Sequence, residues 1–169
     1  MNFLELVQSR GSVRRYADRP VEQEKIDYLL ECARLAPSAC NRQPWRYWVV
    51  RTPERRKALC EAAARFPWLR EAPLMIVVCV CEAEAWVRGA DGRSHSDVDA
   101  AITAEHLALA ATEQGLGSCW ICAFDPERCR EALSLEEGIR PVAIFPVGYP
   151  AVELQAKQRK AMQELVVEC

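Results

Sequence analysis

The 169-residue sequence has few or none of several features that mark large functional classes. It contains only two histidines, and its seven glycines never form the G-x-G-x-x-G pattern of dinucleotide-binding proteins. It has no apolar run of about 18 residues, so we expect no membrane-spanning helix. The formal net charge is -2, so we expect no general attraction to nucleic acid or acidic lipid. The first ten residues do not resemble a signal peptide, and we therefore expect a cytoplasmic protein.

Nine cysteines are present, an odd number, and they lie singly or as close pairs in apolar stretches. This predicts reduced and mostly buried thiols, because a free cysteine behaves as a small hydrophobic residue. Cys119 and Cys122 have the C-x-x-C spacing of a thiol-redox pair or half a metal site. The residues between them favour a strand, which would direct the two side chains to opposite faces. We therefore expect no metal site, and a thiol-redox protein stays an alternative.

Helical and strand-like segments alternate along the chain without repeats or linkers, which predicts one α+β domain over residues 1–169 around a central sheet. The longest predicted helix is apolar nearly all round, and one small domain can hardly bury every side of it. The last predicted strand contains Pro141 and Pro146. These prolines indicate either that the strand lies at an edge of the sheet or that they lie at the ends of the strand. Predicted helices cover residues 2–9, 22–35, 52–65, 97–114 and 125–133, and predicted strands cover 47–50, 74–81, 118–122 and 140–147.

The loop after the first predicted helix, residues 10–16, concentrates groups that bind anions. Arg10, Ser12 and Arg14 alternate along it and can converge on one anion if the loop is irregular. Guanidinium groups present paired donors to phosphate oxygens, and a serine hydroxyl adds another donor. On residue types alone, a solvated basic surface is the commoner outcome. This segment is called the first loop below.

A second polar loop, residues 36–45, contains Ser38, Asn41 and Gln43. Amide side chains carry both donors and acceptors, as the edge of a flavin pyrimidine ring would require. Near the end of the sequence, residues 152–169 form a polar tail in which Lys157 and Arg159 can point the same way from an extended chain. An ordinary loop and an ordinary basic tail are the alternatives for these two segments.

The order and spacing of these segments resemble the nitroreductase family of flavoproteins. The family has an R-x-S-x-[RK] loop after a short helix, a P-S-x-x-N-x-Q-P-W loop, a long helix ending in G-L-G, and a K-x-R tail. The resemblance covers roughly residues 3 to 168, and its specificity rests on the two loops. The matching positions here are Arg10, Ser12, Arg14, Pro37, Ser38, Asn41, Gln43, Pro44, Trp45, Gly115, Leu116, Gly117, Lys157 and Arg159.

The resemblance implies a homodimeric three-layer fold, with a mixed or antiparallel central sheet flanked by helices and with FMN at the subunit interface. It implies that Arg10, Ser12, Lys157 and Arg159 bind the FMN phosphate and ribityl chain, and that Arg14 lies near the N1–O2 edge of the ring. Asn41 of the second loop would bond the pyrimidine edge, and Ser38 and Gln43 would also bind the cofactor. Backbone contacts near N5 would come from Trp120, Ile121 and Cys122, where larger members often have an acidic residue and a glycine.

The implied activity is transfer of hydride or electrons from NADH or NADPH to a small organic acceptor, such as a nitro compound or a quinone. Alternatives within the fold are a flavin-dependent dehalogenase and an enzyme that consumes its own flavin. A non-catalytic flavin-binding protein is an alternative of another class. Since the chain is short for the family, we expect an open pocket, or one shaped by Trp68, Trp86 and the partner subunit.

Overall fold

The computed structural model describes residues 1–154 and 157–169, and within them the chain forms five α-helices and four β-strands. This confirms the predicted α+β class. None of the helices in those residues is long and apolar enough to cross a membrane. The helices are α1 (Phe3–Ser9), α2 (Gln23–Arg34), α3 (Pro53–Ala62), α4 (Ser96–Glu113) and α5 (Pro126–Leu133), and the strands are β1 (Trp45–Val50), β2 (Leu74–Cys81), β3 (Gly117–Ser118) and β4 (Ile139–Gly148).

The strands form one antiparallel sheet in the order β1-β2-β4-β3. Strand β2 is apolar at every position because helices cover both faces of the sheet. Alternate residues of β2, such as Ile76 and Val78, pack towards α2 and α4, while Met75 and Val77 pack towards α3 and α5. The result is the three-layer arrangement that the family resemblance implies.

One expectation about the sheet is wrong, and one of the two alternatives for the last strand is excluded. The predicted strand over residues 118–122 is only two residues long, because the chain leaves the ladder after Ser118 and only Ile121 returns to β4. Strand β4 is not at an edge, since it lies between β2 and β3. Pro141 is tolerated there because β3 covers only the far end of β4, and because the register with β2 shifts beside the residue opposite, Cys79.

Helix α4 carries the chain to the edge of the sheet where the candidate site lies. Its buried face, including Ala100, Ala104 and Leu107, packs in the same core as α2 and β2. Gly115, two residues after the end of the helix, has a φ of 72° that suits a glycine, and the N–H of Leu116 donates back to the carbonyl oxygen of Ala111 at 2.8 Å. This predicted cap is confirmed, and it directs the chain into β3.

Candidate functional site

The first loop is fixed beside the short strand β3. The N–H of Val13 donates to the carbonyl oxygen of Ser118 at 2.8 Å, and Ser12 pairs with Ser118 in a parallel bridge. The buried hydroxyl of Tyr16 donates to the carbonyl oxygen of Val13 at 2.8 Å. Burial raises the pKa of Tyr16 well above its usual value, so this donor stays protonated. Ser12 and Arg14, on either side of Val13, are therefore attached to an anchored backbone.

The side chains predicted from the first loop and the tail line one cavity of about 510 Å³. The tail crosses the first loop there, because Nζ of Lys157 donates to the carbonyl oxygen of Gln8 at 2.9 Å and to that of Arg10. Sequence reasoning thus correctly brings together two segments from opposite ends of the sequence. The cavity, called the cationic cavity below, is lined by Arg10, Ser12, Arg14, Lys157 and Arg159, among other residues.

Gly11 allows this close crossing. A Cβ atom at position 11 would lie 2.9 Å from Cδ1 of Leu154 and 3.2 Å from Cε of Lys157. A larger residue would displace the ends of the flexible Leu154 and Lys157 side chains, which lie against the first loop here. The glycine therefore helps to bring cations from the two segments to one place.

The cations of this cavity are only partly neutralised. The pKa of Lys157 lies below its usual value, first because the ammonium group is partly withdrawn from water and then because Arg10 and Arg159 repel it. Among the described carboxylates, Glu105 approaches Arg10 at 3.9 Å, and Glu153 also lines the cavity. A bound anion would relieve the remaining repulsion. The set of guanidinium, ammonium and hydroxyl donors therefore fits a terminal phosphate group.

The floor beside the first loop includes Cys119, which directly follows β3. Burial raises the pKa of the Cys119 thiol, and this exceeds the opposing effects of the Arg14 charge and the Ser12 hydroxyl. Cys119 therefore stays a neutral thiol next to the cationic cavity. Cys122, in contrast, is exposed and accepts a hydrogen bond from the indole N–H of Trp120 at 3.2 Å. The two cysteines thus lie in different environments, although the segment between them is not the strand that was predicted.

The backbone of the second loop is strained. Cys40, Asn41 and Gln43 have φ values of 49°, 53° and 50°, in the left-handed region that non-glycine residues rarely adopt. Such conformations cost roughly 1–3 kcal/mol each, with asparagine the most tolerant, and they persist where surrounding structure imposes them. Within the loop, the N–H of Gln43 donates to Oγ of Ser38 at 2.9 Å. The amide side chains of Asn41 and Gln43 are exposed and available to a ligand.

One chain does not bring all the predicted residues together. In the described part of the chain, the cationic cavity is lined neither by the second-loop residues nor by Trp120, Ile121 and Cys122. Trp68 packs under the first loop with Val13 and Tyr16. The described side chains also contain no group of three or more possible metal ligands.

Sequence reasoning missed two positioning residues. Tyr16 anchors the first loop, although it lies beside the motif and carried no signal of its own. Asp99 of α4 is buried and accepts a hydrogen bond at 2.9 Å from the N–H of Ala39 in the second loop. A carboxylate in the first turn of a helix ordinarily indicates only a favourable position at the helix dipole, so no pattern in the sequence predicts this contact.

The model of the nitroreductase family matches residues 7–67 and 60–149 of this chain. A crystal structure of a nitroreductase family protein from Clostridium difficile is 39% identical, with a TM-score of 0.92 over 99% of this chain and 98% of that one. An FMN reductase from Bacillus subtilis that uses NAD(P)H is 31% identical, over 92% of this chain and 68% of the relative. A 5,6-dimethylbenzimidazole synthase from Rhodospirillum rubrum is 34% identical, over 88% and 82%. The chain belongs to the nitroreductase family.

Proposed function

We propose that this chain binds FMN at the cationic cavity and transfers electrons from NADH or NADPH to a small organic acceptor, such as a nitro compound or a quinone. The observation that carries the proposal is the set of partly neutralised cations, from two distant segments, in a member of the nitroreductase family. The Bacillus subtilis relative, named as an FMN reductase with NAD(P)H, supports both the cofactor and the electron donor.

In this proposal the two ends of the FMN molecule have different binding partners. Arg10, Lys157 and Arg159 bind the terminal phosphate, since their charges repel one another until an anion is present. Ser12 donates its hydroxyl proton to the phosphate or the ribityl chain. Arg14 extends towards the N1–O2 edge of the ring, where its charge stabilises negative charge on the reduced cofactor. When bound, the flavin itself supplies the hydride chemistry.

The pyrimidine edge would be bound by Ser38, Asn41 and Gln43, with backbone contacts near N5 from residues 120–122. Residues 120–122 directly follow Cys119, which lies beside the first loop, whereas the second-loop residues do not line the cationic cavity of the same chain. A site that uses both sets is therefore best completed by a second copy of the chain. We propose a homodimer with FMN at the interface between its subunits.

The apolar surface of α1 and α4 supports the homodimer. No residue of α1 is buried, and Phe3 and Leu4 are 71% and 64% exposed. Between the two helices lies an apolar groove of about 520 Å³, whose lining includes Leu6, Ile102 and Leu109. Exposed apolar surface of this kind marks protein interfaces, and a second copy of α1 and α4 would cover it. Light scattering at micromolar concentration should find a dimer, and a folded FMN-loaded monomer would contradict this part of the proposal.

All nine cysteines are unpaired, which fits the reducing cytoplasm that we propose as the location. Three of them, Cys60, Cys79 and Cys129, are buried thiols whose pKa is raised by burial, so they are poorly suited to thiol exchange. Only four of the nine cysteines, Cys60, Cys79, Cys119 and Cys129, are buried, so the expectation of mostly buried thiols is wrong and packing is the proposed role of these four alone. The proposed partners are a small-molecule acceptor and a second subunit.

The absorbance spectrum of the purified or FMN-reconstituted protein tests the proposed function. We expect flavin bands near ~370 and ~450 nm, bleaching when NADH or NADPH is added without oxygen, and recovery when a nitro compound or quinone follows. Release of FAD instead of FMN by acid would refute the cofactor. Binding of FMN without bleaching by either nicotinamide would favour a non-catalytic flavin protein. Loss of the flavin during turnover would favour an enzyme that consumes it, an alternative consistent with the Rhodospirillum rubrum relative.

A further inference from the structure

Asp99, in the first turn of α4, is a buried carboxylate with an incomplete set of hydrogen bonds. Asp99 is 1% exposed, and its Oδ1 accepts a hydrogen bond from the N–H of Ala39 at 2.9 Å. Its Oδ2 is also buried and has no hydrogen-bond partner among the described residues. A buried acceptor without a partner costs stability, so stability alone is a poor explanation for a carboxylate at this position.

The contact with Ala39 reaches the strained part of the second loop. In the described part of the chain, Asp99 is the one side chain from another element that hydrogen-bonds to residues 38–43. The other bonds of this segment are internal, as between Gln43 N–H and Oγ of Ser38. A short exposed segment with three left-handed residues needs an external attachment to hold one conformation.

Helix α4 also holds the chain just before this loop. One turn after Asp99, Oγ1 of Thr103 donates to the carbonyl oxygen of Ala33 near the end of α2, at 2.7 Å. Both contacts come from buried polar residues four apart, which lie on the same face of the helix. The segment between α2 and the second loop is thus attached at two points to a helix that is packed into the core.

We propose that Asp99 is a positioning residue, which holds the second loop in the conformation that presents Asn41 to the flavin ring. The inference rests on the proposed function, because it assumes that the loop contacts the pyrimidine edge. The carboxylate fixes the loop at Ala39, directly before the left-handed residues Cys40 and Asn41, and the Asn41 side chain is exposed there. Asp99 touches neither the cofactor nor a substrate.

The test is a double-mutant cycle read by the affinity for riboflavin and for FMN. Asp99→Ala should weaken both flavins by a similar factor, roughly tenfold, because the ring contact is common to them and the phosphate contact is untouched. Asp99→Asn, which keeps an acceptor oxygen, should restore most of the affinity. Asn41→Ala should weaken binding in the wild-type background but cost little in the Asp99→Ala background, since the loop no longer presents this side chain.

Ala39→Pro removes the same hydrogen bond from the loop side and leaves α4 intact. Proline is tolerated there because Ser38 is extended and position 39 opens a 3-10 turn. This variant should lose riboflavin affinity to a similar degree, and it keeps the inference testable if Asp99→Ala fails to fold. Ser96→Ala, at another buried polar residue at the start of α4, is the control and should bind both flavins like the wild type.

Wild-type riboflavin affinity in both Asp99→Ala and Ala39→Pro would overturn the inference, as would additive effects of Asp99→Ala and Asn41→Ala. Equal loss of affinity in the Ser96→Ala control would indicate a purely structural role for this end of α4, and would also overturn it. The proposed function fails separately, if the wild-type protein binds neither FMN nor riboflavin.

Discussion

Gly117 lies against the underside of the first loop, and its position leaves no space for a side chain. A Cβ atom there would lie 2.7 Å from Cβ and 2.8 Å from Cγ1 of Val13, and closer still to Cγ2. Val13 is 1% exposed and its N–H bonds to Ser118, so it has no free space to enter. Gly117→Ala must therefore displace either β3 or the first loop that carries Ser12 and Arg14.

We expect Gly117→Ala to lower the free energy of unfolding by about 2–3 kcal/mol. This is the upper part of the range for an overpacked core, because the contacts include the Cβ of a β-branched residue, which cannot move by a simple rotation. The displaced loop carries Ser12 and Arg14 away from the cofactor. A loss of ~1.4 kcal/mol of binding free energy lowers affinity tenfold, so FMN affinity should fall at least roughly tenfold. Urea unfolding of the FMN-free protein and fluorescence titration with FMN measure the two effects.

Gly89→Ala is the matched control, because a Cβ at position 89 would meet nothing within 4 Å. It should change the unfolding free energy by less than ~0.5 kcal/mol. Val13→Ala should itself cost about 1.6 kcal/mol, from two methyl groups at ~0.8 kcal/mol each. Val13→Ala removes two of the three atoms of Val13 that a Cβ at position 117 would meet. The double variant should therefore be at least ~1 kcal/mol more stable than the sum of the two single effects predicts. Wild-type stability of Gly117→Ala, or additivity in the double variant, would refute the reasoning.

Four further predictions concern the proposed cofactor site. Arg159→Ala should weaken FMN binding roughly ten- to hundredfold, because a charged hydrogen bond contributes ~1.5–3 kcal/mol, and should leave riboflavin binding unchanged in fluorescence titrations. Arg14→Ala should lower the reduction potential of bound FMN in spectroelectrochemical titrations while Arg159→Ala does not, and equal shifts would show that the assigned roles are wrong. FMN binding should raise the pKa of Lys157, since phosphate favours the ammonium form that burial and two arginines disfavour. Proton uptake should then appear in calorimetry at alkaline pH, and affinity should fall as pH rises between the free and bound pKa values. Cys119→Ser and Cys122→Ser should each keep NAD(P)H-dependent turnover, and its loss in both with FMN still bound would restore the thiol-redox alternative.

The residues that were predictable are those whose local pattern and structural role coincide. The apolar run of β2 and the Gly115–Leu116 cap were read correctly because burial on both faces and a left-handed glycine leave direct signs in the sequence. The convergence of the first loop and tail followed from the family resemblance, since alternating basic residues alone favoured an ordinary surface. The predicted strand over residues 118–122 is too long because Trp120 and Ile121 have high strand propensity, whereas only Ser118 and Ile121 of this segment pair with β4.

The contacts that escaped prediction are long-range and made by single residues. Asp99 meets Ala39, which lies 60 residues earlier, and Tyr16 meets Pro146, which lies 130 residues later. Neither contact produces a periodic pattern, because each depends on how separate elements pack. Pro141 predicts either an edge strand or a strand end, and β4 accepts it near one end, where β3 does not reach it.

The crossing of the tail over the first loop has a consequence for the order of events during protein synthesis. Lys157 and Arg10 are 147 residues apart, so at a translation rate of ~5–20 residues per second they are made roughly 7–30 s apart. Throughout that interval the nascent chain holds Arg10, Ser12 and Arg14 without the ammonium and guanidinium groups of the tail. A phosphate-bearing ligand held by both segments therefore cannot guide the early folding of α1 and α2. It loads onto a chain whose sheet and helices have already been synthesised.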